Sequence, residues 1–247
     1  QVVVPVGLLG GELVAATPHA DVLGASPTPF QLRLGIPSRD PSASASFLWR
    51  SDMDTLATVL EYAVGSDLSS EVVRVEGASF LFDQGAERMH EVRLCGRLLP
   101  GTTYSYRAGG DGAFSEVHTF ATPGAARSFD RVRVGIAGDS RGAYATWATV
   151  LQLMGAHEPD LTLFSGDMVQ TATSQSEWEA WMEAAAPSMA ERLLIPAHGN
   201  HEFLAQNYFA HFGLPNNEEW FSVDYGPLLV VSLNDTVRDP YDLQTLE

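Results

Sequence analysis

Apolar and polar residues alternate in short stretches through the first half of the chain and gather into unbroken apolar runs in the second. Period-two alternation, broken by turn residues, predicts strands at Phe30 to Leu34, Ser46 to Trp49, Ala57 to Tyr62, Val72 to Val75, Ser79 to Phe82, Glu91 to Leu94, Thr103 to Arg107 and Glu116 to Phe120. That many short strands in about 95 residues fit an antiparallel sandwich. Thr122 to Ser128 reads as a linker. Beyond it lie Val132 to Ala137, Leu161 to Ser165 and Leu193 to His198, continuous apolar runs of the kind that make buried parallel strands. Helical spacing of Trp147, Val150, Leu151 and Met154 predicts a helix over Ala145 to Gly155. Ser176 to Glu179 reads as a capping box opening a second helix, which Pro187 is expected to end. Phe221 to Tyr225 and Leu228 to Leu233 read as two more strands, and Asp242 to Glu247 as the start of a helix. The expected domains are an apolar N-terminal segment over 1–28, a sandwich over 29–124 and an α/β portion over 128–247.

Each of the three apolar runs ends in a phrase with chemical content: Gly138-Asp139-Ser140-Arg141, Gly166-Asp167-Met168-Val169 and Gly199-Asn200-His201-Glu202. In an open α/β sheet, ligands sit beyond the carboxyl ends of the strands. Two carboxylates, an amide and an imidazole are therefore expected at one edge, a donor set suited to divalent metal ions and phosphate. Turn formation alone accounts for Gly-Asp twice, but gives no reason for Gly-Asn-His-Glu after a third strand. The geometric expectation is that Asp139, Asp167 and Asn200 meet around a common cation-binding spot.

The ordered phrases resemble the signature of the calcineurin-like metallophosphatases. Leu98-Leu99-Pro100-Gly101-Thr102-Thr103-Tyr104 resembles a fibronectin type III phrase, in which Tyr104 would hydrogen-bond the backbone upstream; Trp49 resembles the core tryptophan of such a sandwich. A fibronectin type III-like domain followed by a metallophosphatase domain is the arrangement of the purple acid phosphatases, which Phe120-Ala121-Thr122-Pro123 and Trp220 to Gly226 also resemble. The resemblance implies a hydrolase with two metal ions (iron, manganese or zinc) acting on phosphomonoesters or phosphodiesters through a metal-bound hydroxide. It implies Asp167 as the bridging ligand, Asp139 on the first metal, Asn200 on the second, His201 facing the phosphate, and Glu202 orienting His201 from behind.

Three departures from the family pattern stand out. Gln170 occupies the place of the tyrosine that colours the purple enzymes, so no purple chromophore is expected. Arg141 replaces a metal-binding histidine of many relatives; an arginine stays protonated and binds no metal, but suits bidentate phosphate binding or an ion pair with an acid. The family's later histidine ligands have no counterpart here, because no histidine follows His211. His211 itself is expected to be packed or solvated, in a segment resembling the family's substrate-side loop, and His198 to turn inward. The chain is accordingly expected to be the front portion of a longer protein, weak in metal binding and slow or inactive as a hydrolase by itself.

Charge narrows the partners. The chain of 247 residues carries 31 acidic and 14 basic residues, a net charge of −17, and every basic residue is an arginine. Such a surface argues against sequence-independent nucleic-acid binding, and a phosphate site on it needs metal charge to attract its ligand. Cys95 is the single cysteine and is expected to be a buried small hydrophobe. No apolar run is long enough to span a membrane. The start at Gln1 leans towards export, secreted or periplasmic, with a cytoplasmic location still open. Val2-Val3-Val4 is a candidate for self-association through an edge strand. The alternative function is a non-enzymatic exported structural or assembly protein carrying a relic metallophosphatase domain.

Overall fold

The computed structural model describes residues 19–69, 71–82, 85–128 and 131–236. Two expectations, the Val2-Val3-Val4 strand and the helix from Asp242, fall outside those residues. The architecture is a sheet-rich N-terminal domain followed by an α/β domain.

The first domain holds β1 (Phe30–Gly35), β2 (Ala45–Ser51), β3 (Val59–Val64), β4 (Val73–Glu76), β5 (Ala78–Phe80), β6 (Arg88–Leu94), β7 (Thr103–Gly110), β8 (Ala113–Phe114) and β9 (His118–Ala121). One sheet runs β1-β2-β6-β5; the other runs β4-β3-β7-β8, with β9 also paired to β7. All these pairings are antiparallel. The alternating apolar positions face inward: Phe47 reaches across to Tyr106 and Phe120 at 4.8 and 5.3 Å between ring centroids. Trp49 is buried, stacked on His90. The upstream bond expected of Tyr104 is present, its hydroxyl accepting from the Leu99 N–H at 2.8 Å. Cys95 departs from expectation. The alternation stops at Leu94, and Cys95 lies exposed in the bend that follows.

The second domain is built on three parallel strands, β10 (Val134–Ala137), β11 (Leu161–Phe164) and β12 (Leu193–Pro196), in sheet order 10-11-12. Helices α1 (Tyr144–Gly155) and α2 (Gln175–Met189) make the crossovers and pack on each other. Trp147 stacks on Trp181, and Phe164 meets both indoles edge-on. Short α3 (Gln206–His211) and the hairpin of β13 (Phe221–Tyr225) and β14 (Leu228–Ser232) follow.

Two local expectations are corrected. Helix α2 begins at Gln175 behind Ser174, which makes no side-chain cap bond. Of the expected capping box, Glu177 turns back to a preceding loop and Glu179 pairs with Arg50. Pro187 lies inside α2 rather than ending it. A proline in the last turn removes only one hydrogen bond, and buried Met189 just beyond it favours another half-turn.

The domains share one continuous core that joins Phe47 and Tyr106 to Trp178 and Phe212. Polar contacts pin the seam. Buried Arg33 donates to the carbonyls of His211 (2.5 Å) and Ala210, and the Tyr106 hydroxyl donates to the Ala190 carbonyl at 2.6 Å. The segment resembling a substrate-side loop is therefore part of this seam. Within it His211 is fully buried, with its ring stacked on Trp178.

Candidate metal centre

The three phrases emerge together at the carboxyl edge of β10-β11-β12, and close backbone approach explains their glycines. Gly166 has φ +89°, and a Cβ there would lie 2.8 Å from the Gly199 backbone. A Cβ on Gly199 would lie 2.3 Å from Asp167 Oδ1, and one on Gly138 only 1.9 Å from Ser165 Oγ. Asp139 and Asp167 both take left-handed backbone, at φ +53° and +59°, a conformation disfavoured for residues with a Cβ and common at functional turns.

Main-chain bonds fasten the turns to one another. The Asp139 N–H donates to the Gly166 carbonyl at 2.9 Å, and the Arg141 N–H to the Asp167 carbonyl at 3.3 Å. The hub is Glu202, fully buried. Its Oε2 accepts from the N–H groups of Asp167 (2.9 Å) and Gly199 (2.8 Å), and its Oε1 from the N–H of Met168 (2.8 Å). Burial pushes its carboxyl above the ordinary glutamate range, opposed by these three donors. Glu202 was expected to orient the His201 ring; its carboxylate instead fastens the second and third turns by their backbones.

The His201 ring is oriented by another group. Its Nδ1 lies 2.7 Å from the Gln170 carbonyl, which can only accept, so Nδ1 carries a proton. The Nε2 lone pair then faces Arg141 Nη1 at 3.0 Å. The Gln170 loop is held by Glu177, whose Oε2 accepts from the Gln170 and Thr171 N–H groups and from the Tyr144 hydroxyl. Burial works against the Glu177 charge, but these donors outweigh it and leave its pKa below the ordinary value. The roles of Gln170 and Glu177 were not foreseen. The sequence signal was present in Glu177 seven residues beyond Gln170, where it was absorbed into a helix cap.

The side chains gather around Arg141. Its Nε lies 2.5 Å from Asp139 Oδ1 and 3.8 Å from Asp167 Oδ2. The other Asp167 oxygen accepts from the His201 N–H at 3.0 Å. Asp139, Asp167, His201 and Arg141 are thus one cluster, with Asn200 exposed on the same turn as His201. Among the described residues, no three His, Cys, Asp or Glu side chains converge as a ready metal cage. His198 is buried against Tyr208, its Nε2 accepting from the Leu204 N–H. Burial lowers its pKa to about 4, so it is neutral and turned away from the cluster.

Sequence profiles of two families match: purple acid phosphatase, N-terminal domain, over residues 29–122, and calcineurin-like phosphoesterase over residues 132–242. The second domain is thus similar to the calcineurin-like phosphoesterases. A curated relative, "Purple acid phosphatase 22" of Arabidopsis thaliana, is 29% identical over 123 residues, which is 50% of this chain and 26% of the relative. Among solved structures, purple acid phosphatase PPD1 from yellow lupin (Lupinus luteus) seeds superposes with a TM-score of 0.69 at 18% identity, over 83% of this chain and 44% of that one. PhoD superposes with a TM-score of 0.65 at 16% identity, over 87% of this chain and 54% of that one. These likenesses show the fold. The chain spans about a quarter of the curated relative's length and about half of each solved chain. No helix among the described residues is long and apolar enough to cross a membrane.

Proposed function

We propose that this chain carries the first half of the catalytic centre of a metal-dependent phosphoesterase. The observation that carries the reading is the pair Asp139 and Asp167, both within reach of one guanidinium nitrogen, with His201 on its far side. A cation already stands between the two carboxylates. The donors fit hard or borderline ions such as manganese, iron and zinc: two carboxylates, and the amide oxygen of Asn200 on the next turn. Asp139 and Asp167 would hold one ion, and Asp167 and Asn200 a second. Bound ions supply Lewis acidity and lower the pKa of water.

The remaining work falls to this chain's side chains. Arg141 offers a planar pair of N–H donors to two phosphate oxygens. The Gln170 carbonyl keeps the proton of His201 on Nδ1, so Nε2 is the atom that exchanges a proton with, or bonds to, the ester oxygens. Glu202 keeps Asp167 and the Gly199 turn in register, so the two halves of the donor set do not drift apart. The substrate class is a phosphate ester, and the −17 charge makes a nucleic-acid surface unsuited.

The test uses p-nitrophenyl phosphate and bis(p-nitrophenyl) phosphate with added manganese, zinc or iron. The expected result is slow turnover that requires metal and falls at least about a hundredfold in Asp167→Asn, together with loss of manganese binding in that variant. Turnover that is independent of metal, or equal in Asp167→Asn, overturns the reading. The ratio of the two substrate rates assigns monoesters or diesters.

A further inference from the structure

The Arg141 side chain does more than sit beside the carboxylates. It contacts Asp139 at 2.5 Å, approaches Asp167 at 3.8 Å and donates to His201 Nε2 at 3.0 Å. Every ionisable side chain of the cluster thereby faces one positive charge. The Asp139 oxygen engaged by the guanidinium is not free for a metal ion, and a divalent ion placed among these carboxylates would meet that charge within a few ångströms. Two cations that close repel strongly near a protein surface. The ion and this arginine contact therefore compete for Asp139.

The arginine is able to leave. Its side chain is 36% exposed and that of Asp139 is 62% exposed, so the pair is an exposed one, worth little. Its backbone stays fixed, because the Arg141 N–H is tied to the Asp167 carbonyl. A guanidinium that swings on a fixed backbone remains at the site and seeks another anion. Phosphate is its natural bidentate partner.

We propose that Arg141 is a gate on the Asp139 metal position. It neutralises Asp139 while no ion is bound and releases it as the guanidinium shifts to a phosphate anion, so metal and phosphate bind with positive coupling through this one side chain. The proposal rests on the metal-dependent reading above. Coupling of this kind is reciprocal: phosphate tightens metal binding by the same factor that metal tightens phosphate binding.

The test is a manganese titration of the chain, followed by the electron paramagnetic resonance signal of free Mn²⁺, with and without inorganic phosphate. Four proteins are compared: the parent chain, Arg141→Gln, Asp139→Asn, and Arg133→Gln. The last removes one positive charge from a surface pair with Glu158 remote from the cluster. Asp139→Asn also corrects for manganese complexed by phosphate in solution. Without phosphate, Arg141→Gln is expected to bind manganese about five- to tenfold more tightly than the parent, and Arg133→Gln to match the parent. Phosphate is expected to tighten binding to the parent by several-fold and to leave Arg141→Gln nearly unchanged. Equal or weaker binding by Arg141→Gln overturns the gate, while loss of binding in Asp139→Asn in the same series leaves the metal reading standing. Failure of parent and Arg141→Gln alike to bind, or binding indifferent to Asp139→Asn, overturns the metal reading and the gate with it.

Discussion

The sandwich and the carboxyl edge of the parallel sheet are held together by different forces. In the sandwich, apolar rings fill the space between two sheets, and the buried polar group His90 has both ring nitrogens engaged, by Ser51 and Thr58 at 2.7 and 2.8 Å. At the carboxyl edge, Asp139 and Asn200 are exposed, and Ile136 on the last strand before the first turn is 73% exposed. Apolar burial holds the second turn through Met168 and Val169, and little of it reaches the first and third. The turns are fastened by backbone donors converging on one buried carboxylate, Glu202. Many small apolar contacts share the loss when one is weakened, whereas three donors that depend on one acceptor lose together.

The sharpest way to break this contrast is Glu202→Ala. Three N–H groups lose their acceptor at once, and each unsatisfied buried donor costs about 1–3 kcal/mol. The expected loss is about 3–5 kcal/mol in urea denaturation, accompanied by loss of manganese binding. A variant that keeps parent stability would show that the turns hold themselves.

The same contrast explains what was legible in the sequence. The sandwich strands were readable because apolar and polar residues alternate along them; the predicted Thr103 to Arg107 lies inside β7, and Ser46 to Trp49 inside β2, although β2 is buried along its whole length, its polar residues included. The parallel strands were readable as apolar runs, and their closing phrases named the residues that gather at the edge. What stayed hidden was the use of polar side chains by distant backbone. Glu202 was read as a partner of its neighbour His201, and Glu177 as part of a helix cap, because sequence proximity is the only proximity a sequence offers. Arg141 was left between phosphate and an acidic partner, and only the fold places Asp139 within 2.5 Å of it. Cys95 failed for a local reason: the alternation was extended one residue too far, past Leu94.

Acid and base should strike the sandwich and the seam between the domains differently. Glu218 is buried at the seam beside Glu91 and Arg93. Burial, then the Glu91 charge, raises its pKa to about 8; Arg93 offers little relief because Glu91 already engages it at 2.7 Å. The folded state therefore keeps a proton that the unfolded chain gives up near pH 4.5. Between those values the unfolded state binds fewer protons, so stability falls as pH rises towards 8, by at most about 1.4 kcal/mol per pH unit. Glu218→Gln should flatten that slope. His90 acts in the opposite direction. Burial, then the Arg88 charge, lowers its pKa to about 3, so stability is lost as pH falls below about 6.5, where the unfolded chain takes up the proton first. Denaturation midpoints from pH 4 to 9 check both signs. A Glu218→Gln profile parallel to the parent's between about pH 4.5 and 8 would remove the seam carboxyl from this account.

The smallest expected effect tests whether the sandwich really distributes its losses. Tyr104→Phe keeps the ring stacked on Phe120 and removes one oxygen, the acceptor of the Leu99 N–H. The Leu99 carbonyl retains its own partner, the Thr122 hydroxyl at 2.6 Å, so only one donor is stranded. A neutral hydrogen bond of this kind contributes about 1 kcal/mol net. The variant should lose about that much in urea denaturation, with an unchanged dependence on denaturant concentration and unchanged manganese affinity, because no site turn depends on the Leu99 loop. A loss comparable to that of Glu202→Ala would mean that the sandwich, too, hangs on a single polar contact, and the distinction between the two regions would collapse.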